Sequence, residues 1–465
     1  MTPDAGAEID HPVRNESGEA APWPPPRTGW VVVAMLSAAA LASQLDRMII
    51  NLLVEPIKAD LHLTDTGFAL LQGVAFGVFY TVMMLPIGWL ADRFQRRLVI
   101  AGGLAMFSLF SMGTGLTRTY GQLFLTRTGV GVGEASLFPA GFSMISDHFP
   151  RSRLGRAIGF FTMSSMLGTA IAYIFGGALV GWLTAHQAAS PQAFGGLRPW
   201  QLAFLLIGLP GLILAPFFLL LDEPVRRDVS RSGRLPTAAL FRELWERRAA
   251  LGFMFAGFSM VTLVSYSTSI WTPALFIRVY HWTPAHLGFW IGLLYLLFGI
   301  SGGVIAGYIS DHLGERGMLD APLKVAAFGF VGVSLFGGLA PLMPSPWLAL
   351  LLLAPMTFMI SIPYSCAATS IQLILPNELR SQVSGLYLTV ITLIGLVGGP
   401  VLVAQFTDRL FSAPGDVRYS LAIVVAAAGP IMLMLVLAAC RPYRRLRSAQ
   451  LGEAAGPFAG GQEEG

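Results

Sequence analysis

Apolar residues are grouped along this chain in runs of about 20, and short polar segments rich in charge, glycine or proline separate the runs. A helix of about 20 apolar residues can cross the hydrocarbon core of a bilayer, because each residue adds about 1.5 Å of length. Twelve such runs occur in two sets of six, divided by one polar stretch. The pattern therefore predicts an all-α membrane protein with twelve transmembrane helices in two six-helix bundles.

Polar segments mark the parts of the chain that we expect outside the bilayer. The N-terminal segment has Pro22, Pro24, Pro25 and Pro26 close together, which favours disorder. The expected parts are a disordered cytoplasmic tail (1–29), an N-terminal six-helix bundle (30–221), a cytoplasmic linker loop (222–249), a C-terminal six-helix bundle (250–440) and a cytoplasmic tail (441–465).

Composition supports a membrane protein and excludes several other classes. Charged residues make up only 12% of the chain, whereas soluble domains carry about 25%, and no basic stripe indicates nucleic-acid binding. The two lysines, Lys58 and Lys324, do not follow a glycine-rich phosphate-binding turn, which excludes a P-loop ATPase. No zinc-protease or serine-hydrolase motif occurs, and Cys366 and Cys440 lie far apart in apolar runs. The sequence thus predicts no enzyme, no metal site and no cofactor.

Basic residues are distributed unevenly between the two sides of the predicted bundle. If both termini lie in the cytoplasm, 22 of the 30 lysines and arginines fall in cytoplasmic segments and 6 in external ones, while Arg47 and Arg127 lie within helices. Cytoplasmic loops of membrane proteins carry an excess of positive charge. We therefore expect a multi-pass protein with both termini cytoplasmic.

The two predicted halves repeat one another. The segments 88–96 and 307–316 follow the second and eighth helices, and each places an aspartate four residues after a glycine. The segments 149–153 and 375–380 form a second matching pair after the fourth and tenth helices. Ordered matches at equivalent helix ends indicate an internal duplication of a six-helix unit.

The first of these segments resembles the signature loop of the major facilitator superfamily. The matching positions are Gly88, Asp92, Arg93, Arg96 and Arg97. Gln95 stands where the family usually has glycine. The resemblance implies a major facilitator fold with a substrate site between its halves. It also implies that this loop, together with Asp311 and Arg316 of the repeat, latches the halves in one state; a plain solvated charged loop is the alternative.

A more specific resemblance runs over the first six helices. The segments 45–47, 55–61 and 127–150 resemble the bacterial branch of the spinster family, which includes carriers of sphingolipids and lysolipids in animals. The resemblance implies a carrier of the bacterial inner membrane. Organic-anion importers of the same superfamily share the aspartate–arginine pair of the first helix and a similar fourth helix, and they are the alternative.

Four charged residues lie within apolar helices of the first half: Asp46, Arg47, Arg127 and Glu134. A charge in the bilayer core costs about 2.5–3.5 kcal/mol on insertion scales and usually has a function. Because the first and fourth helices adjoin in this fold, Asp46 can pair with Arg127, or Arg47 with Glu134. An arginine that moves between two conformations changes the proton affinity of its carboxylate. We therefore predict proton coupling through these four residues; a static salt-bridge cluster is the alternative.

Polar and aromatic side chains of both halves are candidates for the wall of a central cavity: Phe76, Tyr80, Phe160, Met163, Tyr266, Ser267, Trp271, Tyr364 and Tyr387. Each can equally be a helix-packing residue. A cavity that is charged on one wall and aromatic on the other suits a small organic or amphipathic, lipid-like solute. We expect a monomeric, proton-coupled carrier of such a solute. The alternatives are an importer in which Arg47 and Arg127 bind a substrate carboxylate, and a non-transporting membrane sensor.

Overall fold

The computed structural model describes residues 23–190, 195–226, 237–299, 301–375, 377–411 and 413–455, and these ranges are helical apart from short connections. Eleven helical segments of the described residues are long and apolar enough to cross a membrane: Pro26–Leu52, Asp65–Arg93, Arg96–Thr114, Ser152–Ala189, Pro199–Leu219, Arg248–Tyr280, Pro284–Glu315, Ala321–Leu342, Pro346–Ile374, Gln382–Phe411 and Pro414–Gln450.

One more crossing lies between the third and fourth of these segments. It consists of two shorter helices, Tyr120–Glu134 and Leu137–His148, which a turn at 135–136 joins. The interruption directly follows Glu134, one of the charged residues of this crossing. We number the crossings as spans 1 to 12 in chain order, with this one as span 4. The predicted twelve-helix architecture is confirmed.

Spans 1–6 form the N-half of the molecule and spans 7–12 form the C-half. Because the number of crossings is even, both ends of the chain lie on one face, which we call the terminal face, and the opposite face is the distal face. Within the N-half, spans 1, 3, 4 and 5 pack around a buried apolar cluster that includes Leu36, Phe107, Met144 and Phe161. This cluster holds span 4 against span 1 and so positions the charged residues.

The halves approach each other most closely along the distal parts of their spans. Span 5 meets span 8 at Gly177, where a Cβ atom would lie 2.6 Å from the carbonyl oxygen of Pro284. Span 2 meets span 11 at Gly73, where a Cβ atom would lie 2.9 Å from the Cα atom of Val397. Only glycine leaves room for backbones this close. The distal face is therefore closed in this conformation.

The expected tails and linker are partly described. Residues 1–22, 227–236 and 456–465 lie outside the described residues. Span 1 begins at Pro26, and the last helix continues to Ala455. The linker stretch contains a helix, Thr237–Glu246, directly before span 7. Helical structure therefore extends past the expected limits of both bundles.

Candidate functional site

Asp46 and Arg127 form a buried ion pair between span 1 and span 4. Arg127 Nη1 donates to Asp46 Oδ2 at 2.9 Å, and Nη2 donates to Oδ1 at 3.4 Å. The two side chains are 0% and 1% exposed. The Ser111 hydroxyl also donates to Asp46, and Thr114 accepts from Arg127 Nη2 at 3.3 Å. The Phe204 ring lies 4.6 Å from the guanidinium, so spans 3 and 6 complete the enclosure of this pair.

Arg47 and Glu134 form a second ion pair between the same two spans. Arg47 Nε donates to Glu134 Oε2 at 2.7 Å, and the Ser43 hydroxyl donates to Oε1 at 2.7 Å. The Glu134 side chain is 2% exposed and that of Arg47 is 16% exposed. The guanidinium lies over the stacked rings of Phe76 and Tyr80, 4.8 and 4.4 Å from their centroids. Two carboxylates and two arginines carry no net charge, which makes their burial tolerable.

A small cavity of about 30 Å³ lies between the halves, next to both ion pairs. Asp46, Arg47 and Arg127 line it from the N-half, and Tyr266 and Ser269 of span 7 line it from the C-half. Arg47 Nη2 and Arg127 Nε are buried, and neither atom has a hydrogen-bond partner within the described part of the chain. The arginines therefore keep unused donors beside this cavity.

An amide pair also lines this cavity. Gln72 Nε2 of span 2 donates to Asn51 Oδ1 of span 1 at 3.0 Å. Gln72 and Phe76 both belong to Leu71–Val78, a π-helical segment of span 2. Such segments are often found at functional sites, because the wider turn redirects side chains.

A larger cavity of about 560 Å³ lies between span 5 and spans 7, 8 and 10. Tyr364, a predicted cavity residue, lines it together with Tyr295, Ser265, Thr357 and Met166. Apolar surface lines most of this space, and a few hydroxyl groups also face it. It can hold a solute that has both polar and apolar parts.

Three predicted cavity residues line neither of these two cavities in this conformation and pack between helices instead. Trp271 is 0% exposed, and its Nε1 donates to the carbonyl oxygen of Pro400 at 2.9 Å. Ser267 is also 0% exposed. Tyr387 is buried and packs edge-on against Phe258. These side chains hold spans 7 and 11 together, which is the packing role that amphipathic side chains often have in membrane helices.

Two further candidates lie on span 5 outside both cavities. Phe160 and Met163 are 48% and 43% exposed, and Phe160 packs edge-on against Trp30 of span 1. Met166, one turn further along the same span, lines the larger cavity.

The signature loop is tied to other parts of the N-half. Arg96 is 1% exposed, contacts Asp147 at the end of span 4, and donates from Nε to Glu223 Oε1 at 2.8 Å. The backbone N–H of Arg97 donates to Glu223 Oε2 at 3.1 Å. Burial opposes ionisation of Glu223, but the hydrogen bonds from Arg96 and Arg97 outweigh it and hold the pKa of this carboxyl below its ordinary value of 4.5.

The other latch candidates lie at the surface of the terminal face. Asp92, Arg93, Asp311 and Arg316 are exposed, and no atom lies within 4 Å of the place that a Cβ on Gly88 would take. Among the described residues, no ion pair joins the two halves at the terminal face. These side chains therefore form no ion pair between the halves within the described part of the chain in this conformation.

Several residues of the site were not found by sequence reasoning. Ser43 and Ser111 each donate to a buried carboxylate. Ser43 lies one turn before Arg47 on the same helix, which is a signal that the spacing contains, but serine is too common in membrane helices to single out. Asp65 and Arg278, which are joined at the distal face, were missed because the sequence places both in external segments.

The fold and the site together define a membrane transporter, because two helical bundles enclose a cavity that adjoins buried ion pairs at their interface. The chain belongs to the major facilitator superfamily, whose family model matches residues 36–400. The protein is therefore a transporter and not an enzyme.

Two relatives show the range of similar proteins. A protein of Mycolicibacterium smegmatis named as an MFS-type efflux pump is 28% identical, over 95% of this chain and 98% of its own length. A protein of Escherichia coli named "Probable L-galactonate transporter" is 29% identical, over 62% of this chain and 63% of its own length.

A solved structure shows the same fold. It is a crystal structure of a bacterial homologue of the human lysosomal transporter spinster, in an inward-facing and unoccupied conformation. The TM-score is 0.72 at 22% identity, and the match covers 92% of this chain and 99% of that one. The predicted resemblance to the spinster family is confirmed by sequence as well, because a protein of Homo sapiens named "Protein spinster homolog 1" is 27% identical, over 82% of this chain and 73% of its own length.

Proposed function

We propose that this protein is a proton-coupled secondary transporter that moves a small organic or amphipathic, lipid-like solute by alternating access. It acts as a monomer in the bacterial inner membrane, with both termini in the cytoplasm. The observation that carries the proposal is the pair of buried carboxylates, Asp46 and Glu134, each held by one arginine beside the cavity between the halves.

Glu134 is the better placed of the two proton carriers. Its partner Arg47 is partly exposed and gives one donor to Glu134, whereas Arg127 is buried and gives two donors to Asp46. A change in the separation of the halves moves Tyr266 and Ser269 of span 7 relative to Arg47. Withdrawal of Arg47 leaves Glu134 in a desolvated site, which favours its protonated form.

The distribution of basic residues supports the orientation, in which the terminal face is cytoplasmic. With the distal face closed, and with no ion pair between the halves at the terminal face among the described residues, we infer that this conformation is open towards the cytoplasm. Exposed single-cysteine reporters at Glu246 and Arg118 test the assignment, because they lie on the terminal and distal sides. An impermeant thiol reagent added to intact cells should label the Arg118→Cys protein and leave the Glu246→Cys protein unlabelled; the reverse result contradicts the orientation.

An organic-anion importer is the second candidate, and the unused donor of Arg47 beside the cavity favours it. The similarity to an L-galactonate transporter supports the same reading. In this case a substrate carboxylate replaces Glu134 as the partner of Arg47. Arg127 is less suited to this role, because Asp46, Ser111 and Thr114 already enclose it with its partner.

Purified protein in liposomes with an internal pH dye tests the proposal directly. Anionic and amphipathic solutes are screened in the presence and absence of a pH gradient. A solute whose addition moves protons across the membrane in the wild type, and not in Glu134→Gln, supports proton coupling. Transport that is indifferent to the pH gradient would contradict it.

A further inference from the structure

We propose that Asp65, Arg278 and Asp408 form a clamp that holds the two halves together at the distal face and that opens once in each transport cycle. The inference rests on the alternating access proposed above. Asp65 belongs to span 2 of the N-half, whereas Arg278 and Asp408 belong to spans 7 and 11 of the C-half. The clamp therefore consists of contacts between the parts that alternating access must separate.

The first contact is a two-pronged ion pair. Arg278 Nη1 donates to Asp65 Oδ2 and Nη2 donates to Oδ1, both at 2.7 Å. Lys58 also contacts Asp65, and Arg278 Nε donates to Glu55 Oε1 at 2.7 Å. The side chains of Asp65 and Arg278 are only 2% and 4% exposed. Two parallel hydrogen bonds between charged groups are stronger and more specific in geometry than a single one.

The second contact caps a helix of one half with a side chain of the other. Asp408 Oδ2 accepts from the backbone N–H of Thr66 at 2.7 Å, and Oδ1 accepts from that of Asp65 at 3.3 Å. These N–H groups belong to the first turn of span 2, where no carbonyl within the helix can accept from them. A carboxylate at this position also complements the positive end of the helix dipole. The distal end of span 2 is thus held from two sides by the C-half.

Packing connects the clamp to the interior. The Arg278 guanidinium lies 5.6 Å from the centroid of the Trp271 ring, and this ring packs edge-on against Phe68 of span 2 at 6.5 Å. Trp271 also donates to Pro400 of span 11. Spans 7 and 11 are therefore expected to move away from span 2 as one unit when the clamp opens.

Asp60 offers a matched control on the same face. It accepts from Trp200 Nε1 at 2.6 Å and lies 3.6 Å from Arg198 Nε. Both partners belong to the N-half. An amide at this position changes the charge of the distal face without removing a contact between the halves.

The test measures the distance between spin labels on the two halves in lipid nanodiscs. Leu116→Cys and Ala413→Cys, both at exposed distal positions, carry the labels in a background in which Cys366 and Cys440 are replaced by alanine. Asp65→Asn and Asp408→Asn are each expected to raise the fraction of the longer distance at least threefold, while Asp60→Asn keeps the distribution of the parent.

The proposal is overturned if Asp65→Asn and Asp408→Asn both give the distribution of Asp60→Asn. If Asp65→Asn does not fold because Arg278 has lost its partner, Asp408→Asn alone tests the proposal, because this variant leaves the buried Asp65–Arg278 pair in place. The distance measurement needs no substrate, pH gradient or defined orientation. It can therefore fail while Glu134-dependent transport holds, and it can succeed where proton coupling fails.

Discussion

Arg127 and Asp46 face each other across spans 4 and 1 with two hydrogen bonds, of 2.9 and 3.4 Å, and neither side chain is more than 1% exposed. Each charge is thus compensated almost entirely by the other. Removal of one partner leaves an isolated charge in the interior, which costs far more than the pair itself contributes.

Arg127→Ala is accordingly expected to destabilise the protein by about 3–5 kcal/mol. The double variant Asp46→Asn/Arg127→Ala should recover much of this loss, because no isolated charge remains. Thermal unfolding in detergent, compared in a double-mutant cycle, gives the coupling. Arg118 is an exposed arginine just before span 4. As a control, Arg118→Ala should change stability by no more than about 0.5 kcal/mol. If Arg127→Ala and the double variant are equally stable, Asp46 is not the charge that the loss of Arg127 leaves without a partner.

The twelve crossings and their division into two halves could be predicted from the sequence, because lipid exposure requires apolar runs of fixed length. The four buried charges could also be singled out, since charge within an apolar run is costly. The possible ion pairs among these four residues could be reduced in number from the sequence. The pairs that form could not be decided, because they depend on how span 1 is rotated about its axis relative to span 4. The location of Trp271 could not be predicted from the sequence, because a tryptophan suits the wall of a cavity and a contact between helices equally well.

The clamp could not be predicted, because it depends on contacts far apart in sequence. Asp65 and Arg278 are separated by 213 positions and Thr66 and Asp408 by 342. Each of these residues lies at the edge of an apolar run, where charged residues are common. Only the folded arrangement shows that the two halves share them.

Asp92→Asn is expected to raise the fraction of molecules with a closed distal face. Asp92 is exposed in this conformation, so its loss costs nothing here, whereas a latch that forms when the terminal face closes would be weakened. The spin-label pair at the distal face measures the change, and Glu315→Gln, another exposed acid of the terminal face, is the control. Unchanged distances together with a loss of solute binding would assign Asp92 to binding and remove it from the latch.

The Glu223 carboxyl at the terminal face is expected to make the stability of the folded protein depend on pH. Since the hydrogen bonds from Arg96 and Arg97 hold its pKa below the ordinary value of 4.5, its ionised form stabilises the folded state above that pH. The contribution is lost as the pH falls further through the folded-state pKa. Glu223→Gln should therefore flatten the acid side of a melting-temperature profile, whereas Asp222→Asn, at the exposed neighbouring position, should keep the wild-type profile. Identical profiles for both variants would show that Glu223 is not held ionised by Arg96.

The most direct test of proton coupling is the response of Glu134→Gln to a pH gradient. Glutamine resembles the protonated carboxyl and removes a charge from the bilayer core, so the variant should fold, although Arg47 loses its partner at 2.7 Å. Expression and gel-filtration behaviour are checked first, with Glu315→Gln as the control at an exposed position.

In liposomes, we predict that solute uptake driven by a pH gradient falls to background in Glu134→Gln and stays at the wild-type rate in Glu315→Gln. Exchange of labelled for unlabelled solute without a gradient should continue in both variants, because binding and the movement of the halves do not require Glu134 to release a proton. If Glu134→Gln keeps the wild-type dependence of uptake on the pH gradient, Glu134 is a structural partner of Arg47 and does not carry the proton.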